Sequence, residues 1–279
     1  LDRPGVCSRT EFPEYDPTYD ELKELLHKHA DLRLAWRGPL LDGEPGTSSR
    51  TEPHSDDFDR EITVIRTPRG DLRASRLVSR NGGPDLQETH FLGSREDAEA
   101  FLSLPFPVIQ GDVSSFAGLV REAGDRGIVE AELGMNPAGL VAELFGPEAF
   151  ARMSASDRDV VHALCERQMR LVQETAKFLL ARGVGPFFAM LCREYATPPL
   201  LDPADFHEFS VKYDKPILDL VHDAGGRVHI HSPGRVKAVF KGFLDMGADV
   251  LHPFEAPPAG DITAAEAKAL ARGRMTLEG

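Results

Sequence analysis

The sequence predicts an α/β protein built as a (β/α)8 TIM barrel, incomplete at its C-terminal end and carrying an N-terminal β-hairpin elaboration. Three observations predict it. From residue 127 onward, short apolar runs alternate with amphipathic stretches, and five strands separated by helices can be read there. That alternation is the pattern of a parallel sheet with helical crossovers. No Gly-x-Gly-x-x-Gly opens any of these helices, which argues against a dinucleotide-binding sheet. Reactive side chains recur just where strands end, and the C-terminal strand ends are where such barrels keep their chemistry.

The 279-residue chain reads as one domain, residues 1–279, with a divergent N-terminal part over 1–126 and regular β/α repeats over 127–279. Residues 1–16 are irregular, punctuated by Pro4, Gly5 and Pro13. Residues 18–29 space Leu22, Leu25 and Leu26 as an amphipathic helix. Residues 38–59 read as a polar loop. Around it Glu52, Asp56, Asp57, Asp59 and Glu61 make a solvated acidic surface. Runs 61–66 and 71–78 flank Thr67-Pro-Arg-Gly70, which predicts a β-hairpin over 61–79 with Pro and Gly in the turn. Ser94 starts a helix through Leu104, with Asp97 in its first turn.

The regular part follows. Residues 127–133 predict a strand, and a short helix follows near 138–145. The longest helix is predicted over 156–182, striped by Val160, Val161, Leu164, Leu171, Val172, Phe178 and Leu179 and stopped by Gly183. Residues 185–191, Gly-Pro-Phe-Phe-Ala-Met-Leu, suit a strand buried on both faces. Residues 203–224 predict a helix in two pieces, broken at Pro216. A strand at 227–231, a helix at 234–246 and a strand at 249–254 come next. Thr263 and Glu266 form a capping box for a helix to about residue 272. Met275–Glu278 begin one more strand. A final strand and helix are then missing, so the reading expects either chain beyond Gly279 or a partner closing the open edge.

Composition narrows the function. Lys plus Arg total 32 against 45 Asp plus Glu, a formal net charge of -13. A field of that sign repels phosphate backbones and disfavours nucleic acid. Apolar residues make up 41%, and no run is long enough to span a membrane. Cys7, Cys165 and Cys192 are too widely spaced for a disulfide framework, which points to a reducing cytoplasm.

Residues 225–260 concentrate the chemistry. In Val228-His-Ile-His231, alternation sends His229 and His231 to one face and Val228 and Ile230 to the other. Glu255 lies past the next strand. A metal held by His229, His231 and Glu255 is one reading, since two imidazoles and a carboxylate suit zinc or iron. A hydrogen-bonded pair of histidines without metal is the other, and His231 as a proton shuttle is a third. Glu194 and Tyr195 follow a buried strand and could meet a substrate. Alternation places His252 on the side away from Glu255, in a structural role. Cys192 reads as a small buried hydrophobe.

The residues Glu194-Tyr195, Pro198-Pro199, Pro203, Phe206, Tyr213-Asp214, Gly225-Gly226, His231, Gly234, Gly247, Asp249, Glu255 and Gly260-Asp261 resemble the second half of the uroporphyrinogen decarboxylase-like superfamily. That superfamily holds uroporphyrinogen decarboxylases and methylcobamide:coenzyme M methyltransferases. The resemblance implies a (β/α)8 barrel with its cleft at the C-terminal face, and allows a homodimer. It covers residues 127–279 well and 1–126 weakly.

Two departures shape the functional expectation. Where decarboxylases carry a pair of carboxylate-gripping arginines before Pro-Glu-Tyr, this chain has Cys7-Ser-Arg-Thr-Glu-Phe-Pro-Glu-Tyr15, and only Arg9 could stand for one. The methyltransferases hold zinc with a His-x-Cys pair, and Pro233 occupies the Cys position beside His231. The resemblance therefore implies a methyltransferase or demethylase of the corrinoid-linked type acting on a small molecule, with a corrinoid protein as partner and zinc as a conditional cofactor. A decarboxylase of uroporphyrinogen or another acid, with Arg9 and Arg193 as cationic groups, is the alternative. A non-catalytic tetrapyrrole- or corrinoid-binding barrel is a third. The residues carried forward are His231, Glu255 and Glu194 as catalytic, Tyr195, Arg193 and Arg9 as substrate-binding, and His229, His231 and Glu255 as metal ligands.

Overall fold

A computed structural model describes residues 7–8, 16–38, 46–191 and 194–279. The chain begins with β1 (Cys7–Ser8), α1 (Asp20–His29) and β2 (Asp31–Trp36). Four strands follow: β3 (Thr47–Pro53), β4 (Phe58–Thr67), β5 (Gly70–Ser79) and β6 (Leu86–Thr89). Helices α2 (Arg95–Leu102) and α3 (Phe116–Ala123) lead to β7 (Gly127–Met135). Then come α4 (Pro137–Phe145), α5 (Pro147–Ser156), α6 (Arg158–Leu180) and β8 (Phe187–Leu191). A helical run of α7 (Pro203–Asp205), a π-helix (Phe206–Val211) and α8 (Lys212–Asp223) precedes β9 (Arg227–His231). The chain ends with α9 (Phe240–Met246), β10 (Val250–His252), α10 (Ala264–Ala271) and β11 (Thr276–Leu277).

Two sheets result. The larger is a seven-stranded sheet in the order β1-β2-β7-β8-β9-β10-β11. All its neighbouring strands are parallel. Its strands run in chain order with helices between them, as expected for β/α repeats. The described residues show this sheet open, with no pairing of β1 to β11. The smaller sheet, β3-β4-β5-β6, is antiparallel and inserted between β2 and β7.

The hairpin predicted at 61–79 is larger than the sequence suggested. Strands β4 and β5 pair over their full ten residues, from Phe58↔Ser79 to Thr67↔Gly70. Much of the segment read as a polar loop is strand β3, because its Ser and Thr side chains serve an exposed edge as well as they serve a turn. Ser49 and Thr63, for instance, hydrogen-bond across the β3–β4 pair at 2.9 Å. Strands β1 and β2 were also not anticipated. Asp31-Leu-Arg-Leu-Ala-Trp36 alternates charge and bulk, and Leu32, Leu34 and Trp36 are buried behind it.

The longest predicted helix, 156–182, is α6 over Arg158–Leu180 with Asp157 at its N-cap, and α5 just before it was not anticipated. In the segment 203–224 the irregularity falls at the π-helix, and Pro216 lies inside α8. The predicted capping box of Thr263 with Glu266 forms, and Ser94, predicted to start α2, forms a second one with Asp97. Each satisfies backbone N–H groups that the first helical turn leaves without partners.

The core lies between the parallel sheet and its helices. Phe188, Met190, Val228, Ile230 and Leu251 are fully buried on the helix-facing side of their strands. They meet Leu164 and Leu179 of α6, Ile217 and Val221 of α8, and Phe243 and Met246 of α9 in one apolar cluster. Burying each such side chain contributes about 1.5–3 kcal/mol. Strand alternation then fixes the opposite face. Arg33, Glu130, Glu132, His229, His231 and His252 all point to the concave side, away from the helices.

Candidate functional site

The concave side of the parallel sheet is charged where a barrel interior is ordinarily filled by branched apolar residues. Three strands supply a first layer. The His229 Nδ1 lies 3.0 Å from Glu130 Oε2 on β7 and 3.0 Å from Arg33 Nη1 on β2. Arg33 also reaches Glu130 at 3.5 Å and, with its other terminal nitrogen, Glu278 at 3.2 Å. Arg33 always donates, and Glu130 as a carboxylate accepts. A bare His229 Nδ1 accepts from Arg33, and a protonated one donates to Glu130.

A second layer sits at the strand ends. The registers Ala189↔His229 and His252↔His231 bring β9 and β10 side by side, so His231 and His252 face the same way. Their Nδ1 atoms are 3.2 Å apart. One ring must donate and the other accept, so the pair holds one proton between them. The His252 ring also lies 5.2 Å from that of His229. Burial above all, and then the neighbouring His229, Arg33 and His231, push the His252 imidazole down to about 4. It therefore stays uncharged at neutral pH.

Glu255 lies in the loop just after β10. Its Oε2 accepts the Gly234 backbone N–H at 2.6 Å, which ties the turn after β9 to the loop after β10. Gly234 has φ +88, and a Cβ at Gly260 would collide with the Glu255 carbonyl. Glycine is needed at both places because the turn is left-handed at one and too close at the other.

Tyr195 donates its hydroxyl to Glu143 on α4 at 2.8 Å. Glu194 opens a 3-10 turn after β8, and its Oε2 is shielded from solvent with no hydrogen-bond partner among the described residues. Arg9, Arg193 and Cys192 lie outside the described residues. Cys165 is buried on α6, and burial pushes its thiol far up, so it is no nucleophile.

The metal reading can be tested against these positions. His229 is engaged by Glu130 and Arg33, and Glu255 by a backbone N–H. His231 Nδ1 meets His252 Nδ1 at 3.2 Å. Among the described residues no three His, Cys, Asp or Glu side chains are placed to hold a metal ion. As arranged, the set His229, His231 and Glu255 does not fit a zinc ion.

Beneath the charged layer, a cavity of about 440 Å³ opens at the N-terminal ends of the strands. Ile128, Phe187, Val250 and Met275 give it apolar walls, and Glu130 and His229 reach it from above.

The uroporphyrinogen decarboxylase (URO-D) family matches residues 117–276. The chain belongs to that family. The match begins in α3 and runs to β11, so it takes in the histidines of β9 and β10 but not Arg33. No curated protein matches the chain. Members of the URO-D family are in general enzymes, with decarboxylation and related methyl transfer as the two chemistries the family suggests here. Among the described residues no helix is long and apolar enough to cross a membrane.

Sequence reasoning missed Arg33, Glu130, Glu132, His252 and Glu278. A signal existed for three of them. In Leu32-Arg33-Leu34 and Val129-Glu130-Ala131-Glu132-Leu133, a charge alternates with apolar residues inside a strand whose other face is core. Nothing local marked Glu278. For His252 the alternation rule was applied against Glu255, which lies beyond the strand, where alternation no longer holds.

Proposed function

We propose that this URO-D-family chain is an enzyme of the corrinoid-linked methyltransferase or demethylase type, acting on a small molecule at the strand-end histidines of a (β/α)8 barrel. The observation that carries this reading is the charge balance of the concave face. Among the described residues, Arg33 and Arg37 meet three carboxylates there: Glu130, Glu132 and Glu278. Both arginines already have carboxylate partners, so together they fall short of the several charge-assisted contacts that a polycarboxylate porphyrinogen needs. A small substrate with at most one carboxylate suits the face better.

The proton-sharing pair supports the same chemistry. When bound, a reduced corrinoid on a partner protein supplies the nucleophile that takes a methyl group. The heteroatom that loses the methyl keeps the electron pair of the broken bond and needs a proton. His231 and His252 meet at the strand ends, where the imidazolium form of the pair could deliver it and return to two neutral rings. General acid catalysis of this kind contributes roughly 10²–10⁴ in rate. Buried neighbours hold the pair in place: Glu130 and Arg33 fix His229, and His229 packs against His252. Glu255 pins the turn that follows His231.

The test is a direct comparison of two assays on the purified protein. One offers methyl-labelled aryl methyl ethers with a corrinoid protein, and the other offers uroporphyrinogen. Label should move to the corrinoid, and His231→Ala should stop it without altering the circular dichroism. Release of carbon dioxide from uroporphyrinogen, with no label moved, would sink the reading in favour of a decarboxylase.

A further inference from the structure

We propose that Arg33 is the receptor for a single carboxylate on the substrate, and that Glu278 occupies Arg33 until that carboxylate displaces it. This rests on the reading that the reaction takes place at His231 and His252.

Position comes first. Arg33 lies on β2 and Glu278 just after β11, at the far end of the sheet order. They are not neighbours in the sheet, yet Arg33 Nη2 meets Glu278 Oε1 at 3.2 Å across the concave side. Leu251 pairs with Leu277, which sets Glu278 level with His252. Arg33 itself is close enough to His252 to lower its proton affinity. An anion held by Arg33 would therefore carry the rest of its molecule over the histidine pair.

The partners of Arg33 differ in how firmly they hold it. Glu130 and His229 keep only 10% and 7% of their side-chain surface exposed, whereas Glu278 keeps 34%. Glu130 and His229 are also fixed to each other at 3.0 Å. Glu278 is the replaceable partner. Its departure exposes a carboxylate near solvent, at small desolvation cost, and frees one edge of a planar guanidinium shaped for another carboxylate. Arg37, also on this face, has its Nε on Glu132 at 2.6 Å, and Arg227 of β9 meets Asp249 at 3.4 Å, so Arg33 is the arginine this exchange would free.

A resident ion pair that competes with the ligand makes a prediction of unusual sign. Removing the competitor raises the fraction of binding-competent protein and so tightens binding. The experiment is calorimetric titration with benzoate and with its neutral isostere benzamide, on wild type, Glu278→Gln and Arg33→Gln, without corrinoid or turnover. Benzoate should bind wild type and benzamide should not. Glu278→Gln should bind benzoate about tenfold more tightly. Arg33→Gln should lose it, with circular dichroism and Arg33→Lys confirming an intact fold and a partial rescue. Unchanged or weaker benzoate binding in Glu278→Gln overturns the proposal, because a merely structural ion pair gives that result. Equal binding of benzamide overturns it as well. Turnover of a neutral methyl ether with no benzoate binding would overturn this inference and leave the proposed function standing.

Discussion

The two sheets carry the same kinds of ion pair and use them differently. On the β3–β6 sheet, Arg60 meets Glu88 at 2.7 Å and Arg76 meets Glu61 at 2.6 Å, each with side chains open to solvent. Such pairs are screened and hold two long side chains in one geometry for little return. On the parallel sheet, Glu130 and His229 make comparable contacts with far less exposure, 10% and 7%, beside a half-buried Arg33. Taking those charges out of water is expensive, and apolar residues of similar size would often serve stability as well or better. A buried carboxylate and imidazole in the place of a packed core are what the proposed site would require, whereas the pairs on the antiparallel sheet lie at the surface.

That contrast can be broken or sharpened by experiment. The largest effect should be on turnover: His231→Ala should lower it by roughly 10²–10⁴ with the fold intact, the range expected for one proton-transfer group. Steady-state rates measured beside circular dichroism check it, and a near-wild-type rate would detach the histidine pair from the chemistry. Glu130→Ala should come next. It leaves Arg33 and His229 without their carboxylate in a shielded site, and chemical denaturation should show a loss of about 3–5 kcal/mol. Loss of less than 1 kcal/mol would make the layer no different from a surface pair.

The antiparallel sheet should depend on packing. Leu72 is buried against the body of the protein beside Ile65. Leu72→Ala should reduce stability by about 2–5 kcal/mol in the same denaturation assay. Its ion pairs should matter least. Arg60→Ala should leave the unfolding midpoint unchanged, and a clear drop would show that the hairpin charges form a supporting network.

The histidines add a pH dependence that the hairpin lacks. The His252 imidazole is held down at about 4, against 6.5 when unperturbed. Between those values the unfolded chain binds a proton there that the folded chain refuses. Stability therefore rises with pH across this window and is lost as pH falls from about 6.5 towards about 4. Unfolding midpoints taken across that range on wild type and His252→Phe check it. The variant should lose part of the acid sensitivity, and an identical slope would remove His252 as its source.

What was legible in the sequence follows from the range of the forces involved. The β/α repeat after residue 126 could be read because alternation, caps and stop signals are local. Ser94 and Thr263 name their own partners three residues on. Val228 and Ile230 announce a buried face, and with it the opposite orientation of His229 and His231. Strand β3 was misread because an exposed strand of Ser, Thr and charged residues has no apolar period. The stripe from Val160 to Leu179 lies wholly within α6, and Asp157 stands at its N-cap as its sequence position suggested.

The site was less legible because its partners are distant in sequence. His231 could be singled out alone, but its neighbour His252 depends on the parallel register of β9 and β10. Arg33 and Glu278 stand at opposite ends of the chain, and only the order of the strands brings them together. By itself the sequence determined the repeat, the buried face of each strand, the acidic balance and the importance of the strand ends, since each of these is fixed within a few residues. Tertiary structure alone decided which imidazole faces which, that Glu255 serves a turn, and that Arg33 is shared among Glu130, His229 and Glu278. Electrostatic partners are chosen by proximity in space, and proximity here is made by strand register and sheet order.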